Sequence, residues 1–127
     1  MALILDAGAF IAYDRRNAEV IALIESAQRK GIAIRTSTAV VAQVWRDGAR
    51  QARLARLLNG TGQIELTKKV SWSIGILLAS SGTSDVVDAT LIDFALNGDE
   101  ILTSDPLDLV HLAESANKEL FIVGISA

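Results

Sequence analysis

The sequence predicts a doubly wound α/β domain, in which a parallel sheet of about five strands lies between two layers of helices. Three observations predict it. Short runs that are apolar along their whole length alternate with longer stretches of helical periodicity, as buried parallel strands and their crossover helices require. Glycine and asparagine mark the ends of the helical stretches. The chain has 127 residues, enough for one core and too few for two, so residues 1–127 are read as a single domain.

Leu3-Ile4-Leu5 reads as a buried first strand, and Ala18–Arg29 as a helix with Val20, Ile21, Leu23 and Ile24 at helical spacing. Gly31 closes that helix and Ile32–Arg35 forms the second strand. Thr38–Arg46 and Arg50–Leu58 read as helices broken near Gly48 and closed by Asn59-Gly60, and Gln63–Leu66 as a short third strand. Lys68–Ser80 is helical up to the break at Ser81-Gly82-Thr83, and Asp85–Leu96 is a strong helix closed by Asn97-Gly98. Glu100–Thr103 is the fourth strand, Leu107–Ser115 a helix and Leu120–Val123 the fifth strand. In such sheets ligands bind beyond the carboxyl ends of the strands, where strand order reverses. Asp6 follows the first strand and Ser104-Asp105 the fourth, so if those strands are neighbours both carboxylates face one crevice.

Half the residues are apolar and 21% are charged, the balance of a globular protein rather than a disordered one. Without cysteine there are no disulfides, thiolate metal sites or cysteine nucleophiles, and the lone His111 cannot build an imidazole zinc site. Any bound metal must take oxygen ligands, which points to Mg2+ or Mn2+. No apolar run approaches the ~18 residues of a membrane span, and Met1–Asp6 has no basic flank. The expectation is a soluble cytoplasmic protein that does not engage a membrane. The net charge of −3 divides unevenly: residues 1–64 hold nine Lys/Arg against five Asp/Glu, residues 65–127 three against ten. A basic half beside an acidic half suits an anionic polymer held next to a cation site.

The acids have an ordinary explanation. Asp105 before Pro106, with Asp108 three residues on, makes a good helix start. Asp85 and Asp88 place negative charge in a first helical turn, and Asp6 before Ala7-Gly8 can cap a helix. Taken together, however, several acids at one strand-end crevice repel one another unless a cation joins them. A hard divalent ion there can neutralise charge on a phosphodiester and activate water. The spacing alone does not separate a nuclease from another magnesium-dependent phosphoryl-transfer site.

The segments Leu3-Ile4-Leu5-Asp6-Ala7-Gly8-Ala9-Phe10-Ile11-Ala12, Ser84-Asp85-Val86-Val87-Asp88-Ala89 and Ile101-Leu102-Thr103-Ser104-Asp105-Pro106-Leu107-Asp108-Leu109 resemble the three acidic motifs of the PIN-domain family. The compact length is similar to that of VapC toxins of type II toxin–antitoxin modules. The resemblance implies a PIN-like three-layer fold, Mg2+- or Mn2+-dependent endoribonuclease activity, a homodimer, and a cognate VapB-like antitoxin. It implies that Asp6, Asp88 and Asp105 hold the metal, directly or through water, and orient the attacking water. Asp108 counts as a further ligand, Asp85 as a secondary acid, and Thr103 or Ser104 as a partner to a carboxylate. The implied substrate is structured RNA, in the family a transfer RNA among others, cut to leave a 3′-hydroxyl.

Where the family usually has a glutamate, this chain has Gln43, which keeps an oxygen ligand but not the charge. Asp47, four residues on, either compensates from the same helical face or simply faces solvent. Gln43 therefore favours a second reading, a catalytically weak PIN scaffold that binds RNA or a protein partner without cutting. A receiver-like signalling domain also clusters acids around magnesium, but it wants a lysine after the last strand, where this chain has Val123-Gly124-Ile125-Ser126. Arg46, Arg50, Arg53 and Arg56 would line one face of a continuous helix as a track for RNA phosphates, or form a solvated face. Arg15-Arg16 and Lys68-Lys69 are weaker signals of the same kind. Trp45 and Trp72 are read as core or interface residues, and His111 as a partly exposed helix residue.

Overall fold

The apolar run Ala2–Leu5 forms β1, buried at every position. The structure is a computed structural model and describes residues 1–126. β1 lies between two parallel neighbours, β2 (Ala33–Ser37) and β4 (Glu100–Thr103). Outside these lie β3 (Gly62–Ile64) and β5 (Phe121–Gly124), so the sheet runs β3-β2-β1-β4-β5 with every pair parallel. A strand with neighbours on both edges and helices on both faces sees no water, which is why β1 carries no polar residue before Asp6.

Seven helices connect the strands: α1 (Ala7–Asp14), α2 (Ala18–Arg29), α3 (Thr38–Val44), α4 (Ala52–Asn59), α5 (Lys68–Ser81), α6 (Val86–Phe94) and α7 (Pro106–Ser115). The chain winds from β1 outward to β3, returns across the sheet to β4, and continues to β5. That reversal sorts the helices into two layers: α1 packs with α2, α3 and α4, while α5, α6 and α7 pack on one another. Phe10 on α1, Leu91 and Ile92 on α6 and Leu109 on α7 are fully buried against Ile4, Leu5, Ile101 and Leu102. Each such side chain contributes roughly 1.5–3 kcal/mol by leaving water. The expected three-layer α/β fold and the adjacency of the first and fourth strands are therefore what the chain adopts.

Several boundaries differ from expectation, and contacts distant in sequence or in a neighbouring loop set them. α3 stops at Val44 rather than Arg46 because the Gln51 side chain reaches back to the helix end. Its amide donates to the Val44 carbonyl at 2.9 Å, and its oxygen accepts from the Arg46 and Asp47 amides at 2.7 and 2.9 Å. α6 stops at Phe94, short of the expected Leu96, where Lys118 Nζ donates to the Ile92 and Asp93 carbonyls at 2.7 Å each. The third strand begins at Gly62 and ends at Ile64, two residues before Leu66. The break at Ser81-Gly82-Thr83 is as expected, with Gly82 in the left-handed conformation (φ 69°) that closes α5.

Two surface expectations need correction. Of the core and interface roles expected for the tryptophans, the core role falls away: Trp45 is 38% exposed and Trp72 73%. The four arginines do not form one track, because a loop separates α3 from α4. Arg46 folds back on the Ala42 and Trp45 carbonyls, Arg50 pairs with Asp47 at 3.7 Å, and Arg53 sits half-buried over the Tyr13 ring. Arg56 lies exposed in the last turn of α4.

Candidate active site

Asp6 leaves the end of β1 and caps α1, its Oδ1 accepting from the Ala9 amide at 2.9 Å. Its Oδ2 accepts from the Ser104 amide at 3.3 Å, which ties the end of β1 to the loop after β4. Asp6 is 5% exposed. Burial raises its pKa above the ordinary carboxylate value, against the hydrogen bonds from Thr103, Ala9 and Ser104 that lower it; Asp105 raises it further.

Asp85 and Asp88 begin α6. Asp85 is the cap, accepting from the Asp88 amide at 3.0 Å. The Asp88 carboxylate caps nothing and is half-buried in the cleft. Burial first, and then the charges of Asp85, Asp6, Asp105 and Asp108, push its pKa up to about 7. Those four contributions place the acids of all three motifs within electrostatic reach of one carboxyl group.

Asp105 stands at the cap position of α7 but makes no side-chain capping bond, and its amide donates to Thr103 Oγ1 at 2.8 Å. Its carboxylate is exposed and lines the cleft. The capping explanation thus holds for Asp6 and Asp85 and not for Asp88 or Asp105. Asp108 is exposed on α7 and does not line the cleft, acting on Asp88 only through its charge. Gln43, on α3, does line it. Asp47 does not: it lies in the loop after α3, accepting from the Ala49 amide and pairing with Arg50, so it faces solvent. His111 bonds the Ser81 carbonyl at 2.7 Å, linking α7 to α5.

The cleft holds about 340 Å³ and also includes Ala7, Gly8, Ile11, Arg15, Val40 and Ser104. Gly8 is a position that sequence reasoning passed over. A Cβ there would fall 2.7 Å from Ser104 Cβ and 3.3 Å from Asp6 Oδ1, so only glycine lets α1 approach the β4–α7 loop this closely. Its place two residues after a strand-end acid was the available signal. A larger hollow of about 580 Å³, lined by Val110, Leu120, Phe121 and Ile122 among others, lies by β5 and contains none of the clustered aspartates. Asp6, Asp85, Asp88 and Asp105 all line the smaller cleft.

Its donor groups are oxygens alone, the set that a hard divalent ion prefers. Among the described residues no group of three acidic or imidazole side chains is arranged to hold an ion by itself. These oxygens do not form a closed protein cage, and an ion taken here would have to be of the magnesium kind, which keeps part of its water shell.

A parallel five-stranded sheet between helical layers, with aspartates at the carboxyl ends of β1 and β4 and on the first turn of α6, is a PIN-like α/β domain. The chain shares its fold with a solved structure, VapBC2 from Rickettsia felis bound to a DNA fragment from their promoter. The two superpose with a TM-score of 0.70 over 97% of this chain and 99% of the other, at 16% identity. No protein-family model and no curated protein matches the sequence.

Proposed function

We propose that this protein is a VapC-type toxin, a Mg2+- or Mn2+-dependent endoribonuclease that hydrolyses structured RNA and is restrained by a VapB-like antitoxin. The observation that carries the reading is Asp88, a half-buried carboxylate that caps nothing and is pushed to about 7 by burial and four neighbouring aspartates. Repulsion of this kind is relieved by a cation. A divalent ion bound there lowers the pKa of water and neutralises charge building on phosphate oxygens. Asp6, fixed by the Ala9 and Ser104 amides, is the rigid member of the set. Asp88 and Asp105 complete it from α6 and from the loop before α7. The likeness in fold to VapBC2 supports the VapC-type reading and with it a VapB-like partner, and a cytoplasmic setting belongs to that same reading.

The test incubates purified protein with total bacterial RNA, with and without Mn2+, beside Asp6→Asn. Metal-dependent cleavage that the variant lacks is the expected result. The second reading, a PIN scaffold that binds without cutting, is favoured by Gln43 at the cleft in place of a charged ligand. It forecasts RNA binding indifferent to metal and no cleavage by the wild type. Under the nuclease reading Gln43→Glu tightens Mn2+ binding by about tenfold, read by calorimetry; unchanged affinity places Gln43 outside the metal shell.

A further inference from the structure

Arg15 is the one cation among the residues lining the acidic cleft. Its position is fixed by the backbone. Arg15 closes α1, its amide donating to the Ile11 carbonyl at 3.0 Å, and Ile11 lines the cleft one turn earlier. Arg16 then turns the chain sharply in a left-handed conformation (φ 63°), and the Asn17 side chain caps α2 at once. Arg15 is thus anchored at a helix end, where a cation is also favoured by the helix dipole.

Despite its acidic surroundings Arg15 is not consumed by them. Among the described residues the ion pair within 4.0 Å is Arg50 with Asp47, and no side-chain hydrogen bond engages the Arg15 guanidinium. Among the described residues none of its five N–H donors has a partner. A divalent ion at the aspartates would serve the phosphate being cut, while a neighbouring phosphate of the same strand still meets the negative field of Asp6, Asp85, Asp88 and Asp105, and Arg15 is the cation of the wall that can offset it. We propose that Arg15 is the phosphate-binding residue of the cleft, its planar fork taking a backbone phosphate of the RNA strand that lies across the aspartates. The assignment rests on the nuclease reading above.

The experiment compares wild type, Arg15→Gln, Arg15→Lys and, as a distant charge-removal control, Arg29→Gln at the end of α2. The substrate is an RNA fragment that the wild type cleaves, and binding is read by fluorescence anisotropy over a range of salt, all four carrying Asp88→Asn to prevent cleavage. Arg15→Gln is expected to weaken binding about tenfold and to reduce the steepness of the salt dependence by roughly one phosphate contact. In the cleaving background its KM rises more than its kcat falls. Arg15→Lys recovers most of the loss, and Arg29→Gln behaves as wild type. A wild type that cleaves while Arg15→Gln keeps its affinity, salt slope and KM overturns the assignment and leaves the nuclease standing. A wild type that cleaves no RNA removes the nuclease reading and this assignment with it. A role confined to balancing the acids would alter melting temperature without moving KM or the salt slope.

Discussion

Asp85 and Asp88 stand one helical turn apart, yet their carboxylates meet opposite conditions. Asp85 is exposed and spent on the Asp88 amide, while Asp88 is half-buried and faces four like charges. The consequence is a pH dependence of known sign. A carboxyl group with an ordinary value of 3.8 when unfolded and about 7 when folded holds an extra proton in the native state between those values. The fold therefore loses stability as pH rises through that window, and the loss is complete above about 7. Asp6, raised by burial, adds to the same trend. Asp88→Asn removes the Asp88 contribution. In chelator-treated protein its melting temperature should match the wild type near pH 4 and exceed it increasingly toward pH 8. A gap that does not widen with pH would show that the acids do not strain the fold.

At the scale of elements, another buried acid shows what a structural aspartate looks like here. Asp99, 3% exposed, accepts from the Ala2 amide at 2.7 Å and the Leu96 amide at 2.9 Å. It joins the start of β1 to the loop between α6 and β4, aligning the two strands whose far ends carry Asp6 and Asp105. Asp99→Ala would leave the buried Ala2 N–H and the partly buried Leu96 N–H without acceptors, a buried one being worth about 1–3 kcal/mol. We expect a loss of about 2–4 kcal/mol in urea unfolding, with metal-dependent cleavage retained by the folded fraction. An inactive but fully stable variant would contradict this division between structural and functional acids. Asp99 went unremarked in the sequence reading because its partners lie 97 residues away and in a loop.

For the whole molecule, the reversal of strand order between β1 and β4 is the decisive feature. It brings residues 6, 88 and 105 together from three separate segments, with Arg15 and Gln43 lining the same cleft. The surface opposite in character is α5, where Trp72 and Ile76 are 73% and 70% exposed. The toxin reading carries the expectation of a homodimer. Light scattering behind size exclusion should then give twice the 13.5 kDa of one chain at micromolar concentration. A monomer mass at that concentration would detach dimerisation from the reading without touching the cleft.

The sequence by itself determined the layered α/β class, the parallel sheet, most helix spans to within two residues, and the aspartates worth inspecting. Those features follow from local periodicity, caps and breakers, which the chain writes in order. Alone, it left Asp6, Asp88 and Asp105 balanced between capping and chemistry, since a carboxylate before a helix has the same sequence signature in both roles. Only the tertiary structure decided that Asp85 caps while Asp88 and Asp105 do not, because capping depends on where a side-chain oxygen points. It likewise set the ends of α3 and α6 through Gln51 and Lys118, dissolved the arginine track, and drew Gly8 and Arg15 into the cleft. Burial and electrostatic repulsion act between groups distant in sequence, and no window along the chain contains them.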